Sequence, residues 1–413
     1  MKTVLVIADG MADRPLRELN WRTPLEAARK PSLNQIAETG VCGIIDPISP
    51  GIPPGSDAAS LALLGYDALG IYSGRGALEA LGSGVKILPG DVAFRCNLAT
   101  IDSSMVVLDR RAGRIATEDA AELAEKLQRI KLKQSSNVEF VFKNTIQHRA
   151  ILVIRGSRLS AAVSDSDPGK LGERVSEVKP LDHSLEARST AKIVNELIRE
   201  FQKTLRSSST NKERAKHNLP PANVVLCRGA GTIPKVRPLS EIYGIRATCI
   251  AAAPLIKGVC QAAGMKVINV KGATGTLQTD YTAKTRAVVQ ELRNCDFVLL
   301  HVKATDVASH DGNIKQKVEA IERIDSMLGY LLKNINLDST YLAITADHTT
   351  STLTRNHEGD PVPVAIAGPY LRVDDVTKYD ERACAKGGLH RIRGLELMPI
   401  LMGLLGKTKK FGS

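Results

Sequence analysis

Three apolar runs in this chain each lead into a carboxylate, and that repetition constrains the fold more than any other feature. Thr3–Ala8 runs into Asp9-Gly10, Phe297–Val302 leads to Asp306, and Thr340–Ala346 closes on Asp347-His348. Each run is short and rich in β-branched or bulky residues, the pattern of a buried strand. Parallel sheets built from such strands carry their chemistry beyond the carboxyl ends of the strands. Further apolar runs at Val224–Cys227, Thr248–Ala252, Val267–Val270 and Val364–Ile366 have helical segments between most of them. That alternation predicts an α/β fold with a doubly wound, mostly parallel sheet.

The sheet is interrupted. Glycines crowd together over 74–90, and the texture then changes to short strands at Val92–Thr100, Met105–Leu108, Val138–Phe142 and Ala150–Ile154. Among them lies an amphipathic helix, Thr117–Ile130, with Ala120, Leu123, Ala124, Leu127 and Ile130 on one face. A second helix is predicted over Ser184–Leu205, and a polar, basic stretch, Ser207–Pro221, leads back to the alternating pattern. The expected organisation is a discontinuous α/β domain, 1–82 and 222–413, with an inserted α+β domain over 83–221.

Several classes of function are disfavoured. The N-terminal apolar run is too short for a signal peptide and meets Asp9. No stretch reaches the roughly 20 apolar residues of a membrane helix. Seven cysteines, an odd number with no C-x-x-C pair, read as reduced thiols of a cytoplasmic protein. A net charge of +12 invites a nucleic-acid partner, but only 6 Phe, 8 Tyr and 1 Trp are available for stacking. The Lys and Arg residues are also spread along the chain, so a small polyanionic substrate fits better. The pattern leaves open whether copies associate as a homo-oligomer.

The chemistry is carried by seven residues. Ser49–Asp57 is a Pro- and Gly-rich loop running into a helix at Ala58–Leu64, which puts Ser56 at or just before a helix N-terminus. There a serine either caps the helix or serves as a nucleophile, helped by free amides and the positive helix end. Asp306 and His310 are four residues apart, and His357 follows His348 by nine. With Asp9 and Asp347 they form a set of nitrogen and oxygen ligands too large for one catalytic ion with open positions, so two divalent metals are expected.

These motifs resemble the alkaline phosphatase superfamily, and within it the archaeal-type cofactor-independent phosphoglycerate mutases. Asp9-Gly10, P-G-S-D around Ser56, H-V-K-A-T-D-x-x-x-H-D, T-A-D-H and N-H-x-G-D-P-V-P carry the likeness. So do G-R-G-A-L-E-A-L-G-S-G-V, A-F-R-C-N-L-A-T, P-P-A-N-V-V-L-C-R-G-A-G and C-A-K-G-G-L-H-R-I-R-G, so that it covers essentially the whole chain. The resemblance implies that Asp9, Ser56, Asp347 and His348 hold one metal, and Asp306, His310 and His357 the other. Mn²⁺ is the foremost ion, with Zn²⁺, Co²⁺ and Mg²⁺ as alternatives, and no 2,3-bisphosphoglycerate is needed. Ser56 would become a phosphoserine, while His148, Arg149, Arg214 and Lys257 would bind phosphoglycerate. Closure of the two domains over the intermediate would hinge near Gly82 and Gly84. A phosphopentomutase, a homoserine-kinase-like phosphotransferase or a phosphomonoesterase would share the metal site. Two positions depart from the family pattern: Gly169 stands in place of a histidine, and His390 in place of a glycine.

Overall fold

Thr3–Ala8 forms the core of the strand Lys2–Ala8, which lies at the middle of an eight-stranded sheet. In order across the sheet the strands are His390–Arg393, Gly40–Asp46, Val362–Ala367, Thr340–Thr345, Lys2–Ala8, Phe297–Val302, Ala247–Ile250 and Lys266–Ile268. All run the same way except Val362–Ala367, which is antiparallel to both neighbours. The computed structural model describes every residue except 133, 134, 136, 411 and 413. Ala8 pairs with Val302 and Ile7 with Thr345, so the three acid-bearing loops leave the same edge of the sheet side by side. Every residue of Phe297–Val302 and Thr340–Thr345 is buried, as continuous apolar strands between two helical layers require.

Two strands of this sheet escaped the sequence reading. Gly40–Asp46 is broken by Gly43, and His390–Arg393 has a single apolar residue on a polar edge. His390 itself has φ 54°, the left-handed region that favours glycine. The substitution seen in the sequence thus falls on a backbone position shaped for the residue it replaces.

The chain divides into two units, Met1–Tyr72 with Lys235–Ser413, and Ser73–Pro234. The boundaries differ from 82/83 and 221/222, for a packing reason. The helix Arg75–Gly82 places Ala77 and Ala80 against Ala93, Ile151 and Val153 of the second unit. Val224–Gly231 does not join the parallel sheet as expected. It pairs antiparallel with Val92–Ile101, Cys96 opposite Cys227. An apolar run announces a buried strand but not the sheet it enters. Gly82 and Gly84 therefore lie within the second unit, not at its crossings.

That unit is a five-stranded antiparallel sheet centred on Val92–Ile101. The helices Thr117–Gln128 and Leu185–Ser207 pack on it through Leu123, Leu127, Val194, Leu197 and Phe201. Ser184 caps the longer helix, accepting from the Ala187 amide. Within the polar stretch after it lies a further helix, Ser209–Lys216. Its Arg214 is buried and its guanidinium is occupied: it donates to Ala112 O at 2.8 Å, Pro220 O at 3.0 Å and Asp119 Oδ2 at 3.0 Å. The sequence reading expected this guanidinium to bind substrate; here its hydrogen bonds are made within the unit. It ties the helix to two loops.

Loss of a buried, fully bonded guanidinium strands its acceptors. Arg214→Ala should therefore lower unfolding free energy by about 3 kcal/mol, measured by urea unfolding, with activity per folded molecule retained. An unchanged midpoint with lost activity would restore the substrate role.

Candidate active site

The three carboxylates meet at the sheet edge. Asp9, Asp306 and Asp347 are all buried, with exposures of 0%, 2% and 0%. Gly10 makes the first turn possible: at φ 62°, a Cβ there would overlap Thr350 Oγ1 and press on Asp306. Its amide donates to Asp347 Oδ1 at 3.1 Å. Asp306 and His310 share one side of the short helix Ala304–His310, with His310 Nε2 3.2 Å from Asp306 Oδ1.

Two ligand groups emerge among the described residues. Asp9, Asp347 and His348 form one, and Asp306, His348 and His357 the other. His348 Nε2 lies 3.4 Å from Asp9 Oδ1 and 3.5 Å from Asp347 Oδ2. His357 Nε2 is 3.5 Å from Asp306 Oδ1 and 3.3 Å from His310 Nε2. His310 belongs to neither group, though it closely approaches Asp306 and His357, while His348 belongs to both.

The donor set fits divalent cations. Asp9 Oδ1 and Asp347 Oδ2 are buried with no hydrogen-bond partner. His310 Nδ1 is 2.7 Å from Arg355 O, and His357 Nδ1 is 2.7 Å from Pro54 O. A carbonyl only accepts, so Nδ1 is the donor in both rings, and the Nε2 atoms converge on Asp306.

The electrostatics agree. Burial pushes the Asp347 carboxyl up to about 7, with the Asp9 charge adding to it. Burial holds His348 down to about 3, which keeps its imidazole neutral. Asp306 stays well below the usual carboxylate range despite burial, because His310, His357 and Lys303 favour its charge. Asp306 raises His310 through a hydrogen bond; at His357 burial is the largest effect and opposes charge, but the Asp306 and Pro54 hydrogen bonds and the Asp306 and Asp347 charges together raise it. Lys303, which sequence reasoning left without a role, spans the carboxylates: Nζ is 2.8 Å from Asp9 Oδ2 and 2.7 Å from Asp306 Oδ2. His301 was also missed. Its buried Nε2 is 3.3 Å from Asp9 Oδ2.

Ser56 is the first residue of the helix Ser56–Leu63, whose N-cap is Gly55. Its hydroxyl caps nothing; Oγ lies 3.0 Å from His348 Nε2. The capping alternative therefore falls away, and the side chain is free to meet the ligand groups at a positive helix end.

The second unit holds a cluster of a different kind. Arg95, Arg110, Arg111, His148, Arg149 and Arg228 line a cavity of about 230 Å³ with Asn97 and Gln147. The structure thus brings His148 and Arg149 together with four arginines that the sequence did not mark. Arg95 and Arg228 are paired across adjacent strands. Asp167 grips Arg110 with both carboxylate oxygens, at 3.1 and 2.6 Å, and Gly169 O accepts from it at 2.8 Å. Burial lowers Arg95 to about 10 and His148 to about 4, with Arg149 and Arg111 also opposing charge on the imidazole. Like charges crowded this way create a receptor for an anion. Lys257 belongs to the other unit, where its Nζ donates to Asn269 Oδ1 at 2.7 Å.

Asp347 must lose its proton to bind a cation, so affinity at its group should fall about tenfold per pH unit below 7, with proton release on binding. Calorimetry in buffers of different ionisation enthalpy measures both; pH-independent affinity from 5 to 7 would contradict the assignment. In His310→Ala, metal analysis should show one fewer ion per chain.

Comparison with known proteins places this architecture. A family-wide sequence pattern described as 2,3-bisphosphoglycerate-independent phosphoglycerate mutase matches residues 37–211. A Methanocaldococcus jannaschii protein named 2,3-bisphosphoglycerate-independent phosphoglycerate mutase 1 is 47% identical over 412 residues, covering 100% of this chain and 99% of its own. A Methanothermobacter thermautotrophicus protein of the same name is 46% identical, with 100% of both chains covered. Among solved structures, a Pyrococcus horikoshii protein superposes with TM-score 0.87 at 37% identity, over 100% of this chain and 99% of its own. The cofactor-independent phosphoglycerate mutase of Thermoplasma acidophilum gives 0.71 at 36%, over 98% and 100%. The chain belongs to the 2,3-bisphosphoglycerate-independent phosphoglycerate mutase family.

Proposed function

We propose that the chain interconverts 3-phosphoglycerate and 2-phosphoglycerate through a phosphoserine at Ser56, with two divalent cations, Mn²⁺ foremost, and without 2,3-bisphosphoglycerate. The observation that carries the reading is the approach of Ser56 Oγ to His348 Nε2, the imidazole that belongs to both ligand groups.

Asp9, Asp347 and His348 would hold one cation beside Ser56, and Asp306, His310 and His357 the other. Such ions supply Lewis acidity, favouring an ionised hydroxyl and neutralising phosphoryl oxygens. Ser56 Oγ, having given up its proton, then displaces the glycerate oxygen in line at phosphorus: the Ser56 O–P bond forms as the substrate O–P bond breaks, and the departing alkoxide takes up a proton in its place. Glycerate presents its other hydroxyl, which gives up a proton and attacks the phosphoserine, restoring Ser56. Splitting the transfer this way replaces one difficult intramolecular shift by two in-line displacements. The Lys303 ammonium adds fixed positive charge beside Asp9 and Asp306, where phosphoryl charge must be stabilised.

The arginine-lined cavity of the second unit suits the anionic groups of phosphoglycerate. Planar guanidinium groups bind carboxylate or phosphate through paired hydrogen bonds. Its charge is already costly without an anion, as the lowered Arg95 and His148 show, so a dianion gains more there than at an isolated arginine.

Ser56→Ala should abolish mutase activity with folding and metal content near normal. Acid-quenched wild-type protein given ³²P-labelled 3-phosphoglycerate should carry label on the Ser56 peptide. Turnover with no label on the protein would contradict the covalent route. Arg228→Ala should cost about 1.5–3 kcal/mol of substrate binding, read as at least a tenfold fall in kcat/KM.

A further inference from the structure

Thr350 is in neither ligand group, yet its hydroxyl touches a member of each. Oγ1 is completely buried, 3.0 Å from Asp306 Oδ1 and 2.9 Å from His348 Nδ1. A hydroxyl has one proton to give. The Asp306 carboxylate can only accept, so that proton points to Asp306. The same oxygen is then left to accept from His348, which places the imidazole proton on Nδ1. The Nε2 lone pair consequently faces Ser56 Oγ at 3.0 Å and the carboxylates of Asp9 and Asp347.

We propose that Thr350 is a positioning residue that fixes His348 in its Nδ1–H tautomer and ties it to Asp306 of the other ligand group. This rests on the reading of these groups as metal sites. A ligand imidazole is ordinarily oriented through its second nitrogen by a carboxylate, a carbonyl or water. His310 and His357 use the carbonyls of Arg355 and Pro54, which no substitution of those residues removes. Only His348 depends on a side chain, and that side chain relays to a carboxylate.

The turn bearing Thr350 is itself anchored. Lys317 Nζ, fully buried, donates to Thr350 O at 2.7 Å, Ala12 O at 3.1 Å and Asp13 Oδ2 at 3.0 Å. Asp13 Oδ2 also accepts from the amide and hydroxyl of Thr352. One ammonium thus joins the loop after Asp9 to the turn after His348. Gly10, lacking a Cβ, leaves room for the Thr350 hydroxyl between them.

The test compares Thr350→Val and Thr350→Ser in the full chain, with Mn²⁺ titrations followed by electron paramagnetic resonance and folding checked by circular dichroism. Thr350→Val should weaken Mn²⁺ binding about 10–100-fold, and Thr350→Ser should stay within about threefold of the original chain. Equal weakening in both variants would mean that keeping the hydroxyl does not preserve binding and would overturn the proposal, as would normal binding in Thr350→Val. If Thr350→Val does not fold, ¹⁵N-histidine spectra of the unsubstituted, metal-free chain decide: the Nδ1–H tautomer at His348 supports the proposal, and Nε2–H overturns it. Failure of the unsubstituted chain to bind Mn²⁺ would instead defeat the metal reading, and the tautomer spectrum would still judge Thr350.

Discussion

Three buried carboxylates at one sheet edge are the constraint to which the rest of this structure answers. An ionised carboxylate out of water is tolerated only when paired or coordinated. Among the described residues, Asp9, Asp306 and Asp347 share one ammonium, Lys303, and four imidazoles, His301, His310, His348 and His357, and Asp9 and Asp347 each keep a buried oxygen without a hydrogen-bond partner. The surrounding architecture makes that concentration of charge reproducible. Parallel register brings Asp9 and Asp347 out at one level, Gly10 permits close approach, and Lys317 fastens the loops that follow them.

The two polar centres solve opposite problems. The first unit concentrates negative charge and so calls for cations. The second concentrates guanidinium groups and calls for an anion, with Asp167 and Glu79 offsetting part of the repulsion. His148, neutral because burial and neighbouring arginines oppose its protonation, adds a polar ring without adding charge. A metal-assisted transfer of a phosphoryl group on a small carboxylated substrate needs both kinds of site.

Much of the first centre was legible in the sequence because its residues are local to strand ends. Asp9 and Asp347 directly follow apolar runs, while Asp306 and His310 are one helical turn apart. The second centre was not legible in the same way. Arg95, Arg110 and Arg228 are scattered, and only the pairing of Val92–Ile101 with Val224–Gly231 assembles two of them. The same pairing explains why Val224–Cys227 was assigned to the wrong sheet: periodicity reports burial, not partner. Arg214 shows the converse limit, since an arginine in a basic stretch carries no sign that its guanidinium will be buried against carbonyls. Lys303 lies inside a quoted motif and Thr350 two residues beyond one, but their roles depend on atoms brought in from elsewhere in the chain.

The central claim is that two cations complete the carboxylate cluster. Anomalous diffraction from crystals soaked in Mn²⁺ tests it most directly. The account predicts two peaks a few ångströms apart, one against Asp9, Asp347 and His348, the other against Asp306, His310 and His357, with Lys303 displaced from at least one carboxylate. A single peak, peaks away from these side chains, or no peak with Lys303 still bridging Asp9 and Asp306 would contradict it.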